Sequence, residues 1–103
     1  MFERFTKRVK VILDIARKEA IKFGHNKIET EHLLLAIIEE GQGMAVAMLH
    51  YMGVEPEKIK LEIEKSMRIG IPLLMAGEIP LSASSKRVLE YAVKEAQFFG
   101  HNY

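Results

Sequence analysis

The chain contains no cysteine and no tryptophan. The first absence excludes disulfides and thiolate metal sites, and it fits a reducing compartment. An excess of one charge is lacking too: 15 Lys and Arg face 14 Asp and Glu, for a net charge of +1. A balance so close to zero gives no basic footprint for nucleic acid and no bulk attraction to a membrane surface. No apolar run approaches the roughly 20 residues of a membrane span. The opening MFERFTKR is charged at once, with no apolar stretch of a signal peptide. A phosphate loop of the form GxxxxGKS/T is also missing, so the chain holds no visible ATPase. The expectation is one small cytoplasmic domain, not itself an enzyme, with no cofactor and no nucleic-acid or membrane partner.

What the sequence does have is a repeat. Residues 5–27 align with 81–103 without a gap, at an offset of 76 residues. Lys10, Leu13, Ala16, Lys18, Glu19, Ala20, Phe23, Gly24, His25 and Asn26 recur as Lys86, Leu89, Ala92, Lys94, Glu95, Ala96, Phe99, Gly100, His101 and Asn102. Thr6/Ser82, Ile12/Val88 and Asp14/Glu90 are close substitutions. Repetition at a fixed offset sets the architecture before any other signal.

Both copies read as helices. Val9, Ile12, Leu13, Ala16, Ala20 and Phe23 fall on one stripe about 100° wide at the helical period. The second copy keeps it with Val88, Leu89, Ala92, Ala96 and Phe99. Thr6 and Ser82 stand where N-cap hydroxyls belong, and Gly24 and Gly100 where a chain leaving a helix takes positive φ. Between the copies, Thr30 to Glu40 reads as a helix closed by Gly41. GMAVAMLHYMG reads as a short apolar helix between Gly43 and Gly53. VEPEKIKLEIEKSMR reads as another, with Pro56 at its first position and Val54 and Ile59 at the spacing of a hydrophobic staple. Its buried face should be Ile59, Ile63 and Met67. The unit is thus four helices over 1–68. An apolar linker over 69–80, broken by prolines and glycines, should lie against the body. Residues 81–103 give the first helix of a second, incomplete unit.

Together, MFERFTKR, ARKEAIKFGHNKIETEHLLLAIIEEG and EYAVKEAQFFGHNY resemble the N-terminal domain of the Clp AAA+ unfoldases, of the ClpC type. The resemblance covers the whole chain. It implies an all-α fold of tandem four-helix Clp-N repeats, the second truncated after its first helix, so that the chain is a fragment of a larger domain. It implies a receptor for substrate proteins and adaptor proteins, seated on a parent ATPase ring in protein quality control. The truncated repeat should expose Val88, Leu89, Ala92 and Phe99, and so favour self-association or helix exchange through the stripe of helix 83–99.

The resemblance also implies a candidate ligand site. Some ClpC-like domains bind phosphoarginine, using the glutamate of TEH and the hydroxyl residue that opens the repeat's first helix. Here these match Glu31 and Thr6. A carboxylate can grip a guanidinium in a planar fork, and a helix N-terminus offers N–H groups and positive potential to a phosphate. Lys7 and Arg8 add charge, and Ser82 would open the second half-site. Glu29 departs from the family's pattern, in which glycine is common, and its carboxylate would repel a phosphate.

The histidines, His25, His32, His50 and His101, read as local hydrogen-bonding and packing groups. HNKIETEH lacks the HExxH spacing that sets two imidazoles on one helical face, and no metal site is expected. Two other readings stand beside the receptor: a free-standing Clp-N-like interaction module, and a small helical DNA-binding domain, against which the charge balance counts.

Overall fold

The computed structural model describes residues 5–67 and 79–100. These form five helices: α1 (Lys7–Lys22), α2 (Thr30–Glu40), α3 (Met44–Tyr51), α4 (Pro56–Ser66) and α5 (Ala83–Phe98). Among the described residues there is no strand, and the single isolated bridge pairs Ile28 with Leu81 in parallel. The fold is all-α.

The helix ends follow the local chemistry of the sequence. Thr6 caps α1, its hydroxyl accepting from the Val9 N–H at 3.4 Å, and Ser82 caps α5 by accepting from Ser85 N–H at 3.1 Å. The two caps share one backbone conformation, φ −64 and ψ 163 at Thr6 against φ −65 and ψ 163 at Ser82. Gly24 leaves α1 at φ 72, and Gly100 leaves α5 at φ 69. At the first of these, Gly24 N–H returns to Ile21 C=O and His25 N–H to Ala20 C=O. That is the paired closure of a Schellman turn, and it needs a left-handed residue at Gly24. The sequence repeat is therefore a repeat of geometry. Glu29, in contrast, caps α2 at φ −90 and ψ 169, ordinary extended backbone that asks for no glycine.

The core sits between α1 and α2. Ala16 and Ala20 of α1 meet Leu33 and Ala36 of α2, with Ile28 below them. Small residues on α1 let the two helices approach closely, and Ile12, Leu13 and Ile15 fill the flank. Phe23, Leu35, Ile38 and Val46 are also buried. Ile59, Ile63 and Met67 of α4 are half-buried rather than buried, so the expected face of α4 is only lightly covered.

Most of the linker expected over 69–80 lies outside the described residues. Its end does not: Ile79 packs against the core, as does the neighbouring Leu81. Ile28 N–H donates to Pro80 C=O at 2.8 Å, and Ser82 N–H donates to Ile28 C=O at 2.9 Å. Through this bridge the start of α5 is tied to the turn between α1 and α2, and α5 packs against α2.

Among the described residues, one acidic side chain is buried in this frame. Glu19 of α1 is 6% exposed, and its Oε2 has no hydrogen-bond partner among the described residues. Burial, then the neighbouring Glu39 carboxylate, hold its carboxyl above the usual range. Lys60 of α4 sits 3.0 Å from Glu39 and holds that carboxyl low. A proton is thus favoured on Glu19 over Glu39, and the three side chains join α1, α2 and α4.

Candidate functional site

The expected site residues fall into two separate places. Thr6, Lys7 and Arg8 lie at the start of α1. There the Arg8 Nε is 3.5 Å from the Glu40 carboxylate at the end of α2, and an added Cβ at Gly43 would touch the Arg8 guanidinium at 3.4 Å. Glu31 lies at the other end of α2, in its first turn. Glu40 stands nine positions after Glu31 on α2, a rise of about 14 Å. Antiparallel packing of α1 on α2 is the cause, so Thr6 and Glu31 stand at opposite ends of this hairpin.

Ser82 lies nearer to Glu31. Its N–H bonds to Ile28 C=O, three residues before Glu31. The Ser82 hydroxyl itself is turned inward, donating to Ser85 Oγ at 3.1 Å and capping α5. Beyond it Ala83, Ser84, Lys86 and Arg87 are exposed, so the open end of α5 presents basic side chains to solvent. Glu31 is exposed and accepts a hydrogen bond from Thr30 Oγ1 at 3.0 Å. It lines a cleft of about 640 Å³ with His25, Asn26, Lys27, Glu29 and the end of α4 at Ser66 and Met67.

The wall of this cleft is fixed by two histidines. His32 is fully buried, and its Nδ1 accepts the Glu29 N–H at 2.7 Å. His32 occupies the third position of α2 and reaches back to the cap residue, the reciprocal arrangement of a capping box. Its Nε2 lies 2.8 Å from Nδ1 of His25. Since Nδ1 of His32 accepts, its one proton is on Nε2 and is donated to His25. Burial, and then His25, hold the His32 pKa below the usual imidazole value, against the opposing pull of Glu31 and Glu29. The local roles expected for His25 and His32 are thus hydrogen bonding and packing. His101 lies outside the described residues. Among the described residues, no three His, Asp or Glu side chains are placed to hold a metal ion.

A further exposed surface, which no motif marks in the sequence, is apolar. On α3 only Val46 is buried. Met44, Met48 and Met52 stand four residues apart and are 75%, 54% and 68% exposed, with Tyr51 at 94%. The all-round hydropathy of GMAVAMLHYMG was the available signal: a short helix with no polar face in a small fold must leave some of its apolar side uncovered.

On α5, Val88, Ala92 and Phe99 are exposed as expected. Leu89 is not: it is 9% exposed, because α5 leans that side of its stripe toward the first repeat. Tyr91 and Phe98 join the exposed face instead. No single described helix is long and apolar enough to cross a membrane. The bent pair α2 and α3 meets length and composition only across a 76° break.

The Clp repeat (R) N-terminal domain model matches residues 4–103. A ClpA homolog described as an ATP-dependent Clp protease ATP-binding subunit, from Guillardia theta, is 43% identical over all 103 residues. The negative regulator of genetic competence ClpC/MecB of Bacillus subtilis is 41% identical over the same span. The chain covers 12% of the length of each of these relatives. Among solved structures, the N-terminal domain of the chaperone ClpD from Arabidopsis thaliana superimposes with a TM-score of 0.71 at 28% identity. It is matched by 100% of this chain over 70% of its own. With the family pattern matched along nearly its whole length and the tandem helix geometry in place, the chain belongs to the Clp N-terminal repeat domain family.

Proposed function

We propose that this domain receives substrate or adaptor proteins for a cytoplasmic Clp ATPase, and takes them on the outer face of α3. The exposed row of Met44, Met48 and Met52 beside Tyr51 carries this reading. Methionine is unbranched and polarisable, so a row of it adapts to many apolar sequences. Adaptable surfaces suit a receptor that must accept unlike partners. The relatives named as ATP-binding subunits support the placing of this domain beside an ATPase ring. The test is a fluorescence-anisotropy titration with a permanently unfolded, carboxymethylated protein. Met48→Lys should weaken binding by about tenfold or more, the worth of one buried methionine side chain. Equal affinity of the variant and the parent chain would reject the face.

A phosphoarginine subsite is the second reading, favoured by the Ile28 bridge that brings the start of α5 to the start of α2. In it, Glu31 grips the guanidinium, and the α5 N-terminus with Lys86 and Arg87 takes the phosphate. Thr6, Lys7 and Arg8 play no part in that subsite.

A further inference from the structure

We propose that the methionine row of α3 is an oxidation site, at which a peroxide converts Met44, Met48 and Met52 to sulfoxides and turns an apolar face polar while the fold stays intact. The consequence for protein partners rests on the reading of α3 as the receptor face.

The argument starts from sulfur. The chain has no cysteine, so its sulfur chemistry is that of the methionine thioether. Three of its six methionines stand between Met44 and Met52. Their four-residue spacing sets each about 6 Å further along the helix axis and on nearly the same side. All three are more than half exposed. A sulfur lone pair must meet the oxidant to react, so access decides which thioether is oxidised first. Met67, at the end of α4, is half-buried and gives less access.

The step balances with hydrogen peroxide alone. The thioether sulfur attacks one peroxide oxygen, the O–O bond breaks and an S–O bond forms. Sulfur gives up two electrons and the peroxide is reduced. The proton of the transferred oxygen passes to the departing hydroxide, which leaves as water. A sulfoxide reductase reverses the change with a dithiol, which becomes a disulfide as the oxygen leaves as water. The chain has no thiol of its own, so that reductant comes from outside.

The effect falls on the face and spares the core. Between Gly41 and Val54 there is no Asp, Glu, Lys or Arg, so each sulfoxide brings a strong dipole to an uncharged stretch. In solvent that dipole is hydrated. Under the apolar surface of a partner it would lose its water without a replacement, which opposes binding. On α3 only Val46 is buried, and the core lies between α1 and α2. Oxygen added to the three exposed sulfurs therefore disturbs no internal packing.

The experiment treats the full chain with hydrogen peroxide and follows it by peptide mass mapping, retention on a phenyl column and thermal melting. Met44, Met48 and Met52 should each gain one oxygen several-fold faster than Met67. Retention should fall while the melting temperature holds, and methionine sulfoxide reductase with dithiothreitol should restore retention. The triple variant Met44→Leu, Met48→Leu and Met52→Leu keeps the face apolar without sulfur, and its retention should not respond to peroxide. Oxidation of Met67 as fast as the other three overturns the proposal. So does unchanged retention, or loss of the fold, in the oxidised parent chain. An anisotropy titration with the carboxymethylated protein reads the consequence separately. The oxidised chain should bind about tenfold more weakly than the untreated one, and reduction should restore its affinity. Equal affinity before and after oxidation overturns the switch. Absence of binding by the untreated chain rejects α3 as the receptor face, and mapping and retention still decide the oxidation site.

Discussion

Arg8 and Glu40 meet at 3.5 Å, and that ion pair joins the first turn of α1 to the last turn of α2. The contact fixes α1 and α2 as an antiparallel hairpin. It also places Thr6 at the far end of the hairpin from Glu31. Any ligand that uses Glu31 must find its other contacts in the α1–α2 turn, at the end of α4 or at the start of α5.

Thr6→Ala should therefore lower stability by about 1 kcal/mol, the ordinary worth of an N-cap hydroxyl, and leave phosphoarginine affinity as it was. Glu31→Ala should remove binding without a loss of stability, since Glu31 is exposed. Calorimetric titration with phosphoarginine and with plain arginine, beside thermal melts, separates the two effects. Equal loss of affinity in both variants would restore the pairing of Thr6 with Glu31.

Glu19 predicts an unusual pH dependence. Its folded carboxyl is held above the usual range by burial and by Glu39, so the folded chain keeps a proton that the unfolded chain has released. The linked stability is full below the ordinary carboxylate value and is lost as pH rises through the raised one. Glu19→Gln keeps a donor for Glu39 and removes the titration. The variant should be more stable than the parent by about 1 kcal/mol near pH 7.5, with the gain vanishing near about pH 4. Melting curves at both pH values measure it. Destabilisation of equal size at both would show that the site prefers the acid for its shape alone.

Val88, Tyr91 and Ala92 lie on one face of α5, and all three are exposed. The equivalent positions of α1, Ile12, Ile15 and Ala16, are buried or half-buried by the rest of the first repeat. The chain should therefore self-associate through α5, and Val88→Lys should weaken the assembly. Sedimentation equilibrium over a wide concentration range is the measurement. A species that stays monomeric at the highest concentration contradicts the prediction.

The helices were legible because each carries its own punctuation. Thr6, Ser82, Pro56, Gly24 and Gly41 mark starts and stops by local chemistry, and α2 runs from Thr30 to Glu40 as the sequence indicates. The bridge from Ile28 to Leu81 was not legible, because nothing local in NKIET or IPLSA distinguishes two extended residues that pair from two that do not. His25 and His32 were visible as residues of a turn, but their contact crosses the Schellman closure and depends on its three-dimensional course. Glu19 gave no warning either. A glutamate beside Ala20 on an apolar stripe reads as an edge residue until Glu39 and Lys60 are brought to it by α2 and α4. The separation of Thr6 from Glu31 along the hairpin was legible in principle: two helices joined by a short turn run antiparallel, and their starts then lie at opposite ends.

Reception of other proteins by the methionine row of α3 is the proposal to test first. Its most direct test follows the ε-methyl resonances of the methionines by NMR while a permanently unfolded, carboxymethylated protein is added. Met44, Met48 and Met52 should shift or broaden together, at one midpoint, while Met67 at the end of α4 stays in place. Binding that leaves those three methyls unmoved would contradict it.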